Sequence, residues 1–193
     1  MNAALNYLAT HGLEAAGVCS TVLSIWLTTK RKLLCWPIML LANSLYLTVF
    51  FQAKLYSGAL LQIVFIAVTI YGWLHWWRDA KAEGEVRIVA LPTRGWIAGL
   101  AAGAVGAVLL GWAMARAGAS LPHLDAALAS YSLIASWWQT RRHIANWWLW
   151  IALDTIYIGE YIYKSLFLTA ALYAALVGLA VLGLRNWGRA AKA

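Results

Sequence analysis

Seven apolar stretches follow one another along the chain, at roughly 12–29, 33–52, 57–77, 95–114, 124–138, 144–163 and 165–184. All but the fifth, which is shorter, approach the ~20 residues that an α-helix needs to cross the hydrocarbon core of a bilayer. No other feature constrains the fold as strongly. Lipid offers no hydrogen bonds, so a spanning segment must satisfy its backbone within itself, and helices do so. The expectation is an all-α integral membrane protein with seven transmembrane helices, forming a single transmembrane domain over residues 1–193. Composition agrees. Charged residues make up 11% of the chain and hydrophobic ones 63%, whereas a soluble domain carries about 25% charged residues.

The formal charge of +8 raises nucleic acid as a partner, but the basic residues lie in short runs between the apolar stretches. The N-terminus and loops 2–3, 4–5 and 6–7 hold 3 Lys and Arg; loops 1–2, 3–4 and 5–6 and the C-terminal tail hold 12. That bias places the N-terminus outside and the C-terminus in the cytoplasm. It argues for the lipid bilayer as partner and against nucleic acid. The first twelve residues contain no Lys or Arg, so a secretory signal peptide is not expected. Cys19 and Cys35 fall near opposite ends of adjacent helices and are expected to be free thiols. His11, His75, His123 and His143 fall at span ends without metal-ligand spacing, so no metal site is expected. G-x-x-x-x-G-K-[ST], H-E-x-x-H and G-x-S-x-G are all absent, so the chain is not expected to be an enzyme or to need a cofactor. Trp76, Trp77, Trp96, Trp112 and Trp187 also fall at span ends, where membrane proteins carry interfacial aromatic belts.

Shifting the sequence by 111 residues exposes a duplication. Trp26 falls on Trp137, Lys30-Arg31-Lys32 on Arg141-Arg142-His143, Trp36 on Trp147, Asn43 on Asp154 and Tyr46 on Tyr157. Farther on, Leu55, Leu61, Gly72 and Trp76 fall on Leu166, Leu172, Gly183 and Trp187, and Gln62 on Tyr173. The expected architecture is therefore three helices, a linker helix, and three helices (3+1+3). Repeat one covers 12–77, the linker 95–114 and repeat two 124–187. Two units starting four spans apart have the same orientation, which makes this a parallel repeat, and transporters are the main users of such repeats.

Helix six carries the chemistry. At about 100° per residue, Trp147, Trp150, Asp154, Tyr157 and Tyr161 share one face. A carboxylate near the bilayer middle costs about 2.5 kcal/mol or more and requires a partner or a wet cavity. The aligned stripe on helix two is Trp36, Asn43, Tyr46 and Phe50. Two such stripes could hold a flat, cationic ligand, since aromatic faces attract cations and Asp154 supplies the counter-charge. The plainer alternatives are that Asp154 bonds to Asn43 or to a nearby hydroxyl, and that the tryptophans only pack. Glu160 stands four residues before Lys164, which fits an i,i+4 ion pair; the other reading is a cation-attracting carboxylate at the outer mouth. Gln62 could read a ligand's polar groups or bridge two helices.

Several segments resemble the PnuC family of bacterial vitamin transporters. They are Ala53-Lys54-Leu55-Tyr56 with Leu60-Leu61-Gln62, Ile70-Tyr71-Gly72-Trp73, and above all Asn146-Trp147 with Trp150. The stretch from Phe167 through Tyr173 to Gly183 and Trp187 is similar as well, and the resemblance runs from about Leu13 to Trp187. It implies a 3+1+3 fold like that of a full-length SWEET sugar transporter with its own helix order, in the bacterial inner membrane. It also implies a homo-oligomer, specifically a trimer. The implied activity is facilitated diffusion of a vitamin, with a cytoplasmic kinase trapping the substrate by phosphorylation. Nicotinamide riboside is the expected substrate, thiamine or another vitamin of the family the alternative, and a sugar the more distant one. The resemblance places Trp147, Trp150, Asp154 and Gln62 at the substrate. Asn is common in the nicotinamide riboside type where Asp154 stands here, and Glu160 adds a second carboxylate. Glu160 and Tyr173 are therefore candidate selectivity residues.

Overall fold

The structure, a computed structural model, describes residues 2–83, 86–116 and 121–192. The side chains of residues 2–11, 57 and 83 lie outside that description, and the reading of His11 with them. Seven α-helices follow in order: α1 Asn2–Thr29, α2 Cys35–Gln52, α3 Tyr56–Glu83, α4 Thr93–Arg116, α5 Pro122–Thr140, α6 Ala145–Tyr163 and α7 Phe167–Ala190. A helix answers each expected span. The fifth is longer than its apolar stretch, at 19 residues, and begins with a proline in its first turn. Proline is pre-set for that place. Its far end includes Gln139 and Thr140, which are polar yet buried; hydropathy alone therefore ended the stretch too early.

Among the described residues, α2, α3 (over Gly58–Ala82), α4 and α7 are long and apolar enough to cross a membrane. Large apolar side chains such as Phe51, Leu60, Ile97, Val108 and Leu168 stand exposed on these helices. In lipid such surface needs no cover, and the match between apolar helices and apolar surroundings makes the chain an integral membrane helical protein.

The chain forms two compact units, Met1–Val86 and Arg87–Ala193. In the first, α2 packs against both α1 and α3; in the second, α5 packs against α4 and α6, and α6 against α7. The helix expected to link the repeats thus belongs to the second unit. Its small residues explain why. A Cβ at Gly99, Gly103 or Gly106 would strike Trp138, Tyr131 or Ser130 of α5, so the two backbones meet closely, as small residues allow in membranes. Ser130 Oγ donates to Gly103 O at 2.9 Å and the Tyr131 hydroxyl to Leu100 O at 3.1 Å.

The duplication is written into the backbone of both units. Arg31 and Arg142, 111 residues apart, adopt left-handed φ values of 58° and 62°, and Lys54 and Ser165 of 59° and 58°. The same bonds close each hook. Lys32 N–H donates to Leu27 O at 3.1 Å and His143 N–H to Trp138 O at 2.9 Å; Leu55 N–H donates to Phe50 O and Leu166 N–H to Tyr161 O, both at 2.8 Å. Lys30 lies over the Trp26 ring and Arg141 over the Trp137 ring.

Candidate functional site

The seams α2–α3 and α6–α7 are pinned in the same register. Trp36 meets Trp76 edge-on at 5.2 Å, and Trp147 meets Trp187 edge-on at 5.3 Å. All four rings are fully buried. Trp76 and Trp187 are therefore interior, not the interfacial anchors expected of them, because each closes on the tryptophan that opens the preceding helix. Trp77 and Trp112 remain exposed. Gly183 leaves room for the face of Trp147, since a Cβ there would collide with its ring. Trp36 and Trp147 are thus placed inside their own seams, and their indole N–H groups find no partner among the described residues.

Farther along, the seams diverge. Asn43 Nδ2 donates to Thr69 Oγ1 at 3.0 Å, so helices α2 and α3 are bridged and Asn43 is not waiting for Asp154. The positions 111 residues on hold Asp154 and Ala180. Asp154 is 5% exposed, and among the described residues no hydrogen bond or ion pair reaches its carboxylate. Ala180, also buried, has no hydroxyl to give.

Past this rung, the first unit stacks Tyr46 on Phe50 at 6.0 Å, with Tyr46 also lying against Gly17 of α1. Gln62 Oε1 is buried without a hydrogen-bond partner. The matching places in the second unit are all tyrosines. Tyr157 meets Tyr173 at 4.8 Å, Tyr161 meets Tyr173 at 5.1 Å, and Tyr157 meets Tyr161 at 6.1 Å. Each is half-buried, and the charge of Asp154 is felt at Tyr157 and Tyr173. Trp150 and Tyr157 back onto Leu128, Ala135 and Leu153. The second unit therefore holds a buried, unpaired carboxylate near Tyr157 and Tyr173, whose rings also meet Tyr161, an arrangement suited to a cationic ring system.

At the end of α6, Glu160 Oε1 accepts from Lys164 Nζ, the i,i+4 pair its spacing predicts. That bond raises the Lys164 ammonium above the usual lysine range. Glu160 is itself buried, and its Oε2 has no partner. Asp125, in the first turn of α5, lies against it; no pattern in the sequence pairs these two acids. At the opposite end, Val89 N–H donates to Arg142 O at 3.1 Å and Ile144 N–H to Val89 O at 3.3 Å. Burial there pushes the His143 imidazole below the usual histidine range, against the backbone bonds with Val89 and Ala90. A groove between α4 and α5, lined by Pro92, Gly99, Ile134 and Trp138 among others, contains none of the candidate residues. Among the described residues no group of acids, histidines and cysteines could hold a metal ion, and both cysteines are free.

A family model described as nicotinamide mononucleotide transporter matches residues 11–189. The nicotinamide riboside transporter PnuC of Escherichia coli is 26% identical over 206 residues, covering 93% of this chain and 86% of that protein. The riboflavin/roseoflavin transporter RibM of Streptomyces davaonensis is 30% identical over 173 residues, covering 86% of this chain and 79% of that protein. The crystal structure of the vitamin B3 transporter PnuC matches with a TM-score of 0.76 at 25% identity, over 99% of this chain and 86% of that one.

Proposed function

The chain belongs to the nicotinamide mononucleotide transporter family, and from that premise we propose that it carries nicotinamide riboside across the bacterial inner membrane by facilitated diffusion. The observation that carries this reading is the Asp154 carboxylate, buried and unpaired near Tyr157 and Tyr173, with Tyr161 against both rings. Nicotinamide riboside is a flat cation with a hydroxylated sugar. Its pyridinium would stack on the tyrosines, its charge would be balanced by Asp154, and Trp150 would close the apolar side. The Tyr hydroxyls suit an amide and a ribose; within the first unit, the unpaired Gln62 Oε1 offers an acceptor of its own. Asn43 and Tyr46 belong to the first unit's part of this reading, and Trp36 and Trp147 support it from within the seams. Glu160 and Tyr173 are its selectivity residues.

The finer topology belongs to the same proposal: seven spans in a 3+1+3 order, N-terminus outside, C-terminus in the cytoplasm, several copies assembling as a homo-oligomer. So does trapping of the substrate by an intracellular kinase. Among the described residues no intramembrane relay of titratable groups suggests ion coupling, and the reading is uncoupled transport by a protein without a cofactor. Proteoliposomes should equalise nicotinamide riboside to the same level with and without a pH gradient.

A second reading is favoured by the anionic, aromatic character of the site and by RibM among the relatives. Thiamine is also a cationic heteroaromatic, and riboflavin a flat one. Titrating the purified protein with all three, followed by calorimetry or Trp fluorescence, decides among them. Tight binding of nicotinamide riboside alone supports the proposal; tight binding of thiamine or riboflavin alone overturns it.

A further inference from the structure

We infer that Ala180 sets the charge preference of the site, by withholding from Asp154 the hydroxyl that Thr69 gives Asn43. This inference rests on the reading of Asp154 as a ligand-facing group. The tryptophan pairs fix how α3 lies along α2 and how α7 lies along α6, at 5.2 and 5.3 Å with interplanar angles of 83° and 85°. Trp36 and Asn43 are seven residues apart on α2, as are Trp147 and Asp154 on α6; Thr69 and Trp76 are seven apart on α3, as are Ala180 and Trp187 on α7. Two seams with equal anchors and equal spacings bring position 180 to Asp154 as position 69 is brought to Asn43. In the first unit that approach is a 3.0 Å hydrogen bond. In the second, position 180 offers only a methyl group, 2% exposed, and no described residue bonds the Asp154 carboxylate.

A buried ion without a partner is costly, so a chain that needed Asp154 only for structure would gain by placing Ser or Thr at 180. The alanine keeps the carboxylate's lone pairs free. What satisfies them must arrive from outside, and the matching chemistry is a cation with hydrogen-bond donors, held over aromatic rings. A hydroxyl at 180 would spend part of that capacity internally, and would do so whatever the ligand's shape. Its effect therefore falls on charge recognition and spares stacking.

The test uses nicotinamide riboside and its reduced form, which has nearly the same outline but no positive charge. Wild-type protein should bind the cation more tightly than the neutral form. Ala180→Thr should weaken cation binding about tenfold and leave the neutral form within about twofold, so the ratio collapses. Ala180→Val has the same outline without the hydroxyl and should leave the ratio as in wild type. If Thr overfills the seam, Ala180→Ser supplies the hydroxyl with less bulk. Equal ratios for the hydroxyl and valine variants would overturn the inference. A measurement without ligand separates this from the transport reading. A hydrophobic carbodiimide labels unpaired membrane carboxyls, and labelling of Asp154 should fall in Ala180→Thr and Ala180→Ser but not in Ala180→Val. If wild-type protein binds neither form, the nicotinamide riboside reading fails, while labelling still decides whether Ala180 is what leaves Asp154 free. Labelling equal in all variants overturns the inference even if the ligand binds.

Discussion

Along the seam of α2 and α3 a tryptophan pair, an amide with a hydroxyl partner, and a Tyr–Phe stack follow in order. Along the seam of α6 and α7 the matching places hold a tryptophan pair, a carboxylate with an alanine at the position corresponding to Thr69, and three tyrosines. The shared parts are buried and made of large rings and tight hooks. The parts that differ sit a few turns farther on, where the second unit leaves a carboxylate unpaired and the first bonds its amide Asn43 to Thr69. Duplication thus preserved what fixes helix against helix and let the two copies diverge where a ligand could be met.

The largest expected effect tests the shared part. Trp36→Ala and Trp147→Ala should each cost about 3–5 kcal/mol of stability, as large ring-to-methyl cavities do, measured by unfolding in detergent. A loss in one and none in the other would break the equivalence of the seams.

The next tests the difference. Asp154→Ala should weaken nicotinamide riboside by about 30–100-fold, the worth of a charged hydrogen-bonded contact. Asn43→Ala should change affinity only a few-fold and instead cost about 1 kcal/mol of stability, through the lost bond to Thr69. Equal affinity losses would erase the asymmetry. A third comparison lies within α7. Gly183→Ala, which drives a Cβ into the Trp147 ring, should destabilise by about 1–3 kcal/mol. Gly178→Ala, where nothing lies within 4 Å, should be neutral or gain up to about 1 kcal/mol from helix propensity.

The smallest effect concerns the loops. His143 is held below its ordinary range, so below about pH 6.5 the unfolded chain binds a proton that the folded loop resists. Stability around the α5–α6 hook should fall as pH drops through that window, and His143→Gln should flatten the dependence. The matching residue in the first unit is a lysine, Lys32, and not a histidine. Hydrogen exchange of the two hooks at pH 5 and 8 reads the contrast, and equal pH sensitivity of both hooks would count against it.

Much of this was legible in the sequence. Seven helices follow from apolar length, and the 111-residue shift already aligned the hooks and both tryptophan pairs. The stripe of Trp150, Asp154, Tyr157 and Tyr161 follows from helical periodicity alone. What stayed hidden depends on which helix faces which. The spacing of Trp76 and Trp187 at span ends is the same for a belt residue and a buried one; only the partner ring distinguishes them. Asp125 beside Glu160 joins residues 35 apart, with no pattern to pair them. That α4 packs closely on a neighbour was readable from Gly99, Gly103 and Gly106, whose spacing lays small residues along one face; that the neighbour is α5 was not. The signal for Ala180 was also present, since the shift that puts Asn43 on Asp154 puts Thr69 on it. Its meaning needed the 3.0 Å bond between Asn43 and Thr69.

The hook at Lys164–Leu166 bears on how the protein is made. It joins α6, which carries Asn146, Asp154 and Glu160 and is not among the helices apolar enough to span by themselves, to α7, which contains an 18-residue stretch with a mean hydropathy of 2.2. An acid at the centre of a helix costs the insertion machinery about 2.5–3.5 kcal/mol, and each Leu or Ile returns only a few tenths. Three linking residues, one locked at φ 58°, leave the ribosome's product no slack to deliver the two helices separately. On the seven-span reading, the polar helix would enter the bilayer as one arm of a hairpin, the cost of its acids offset by its neighbour's greasiness.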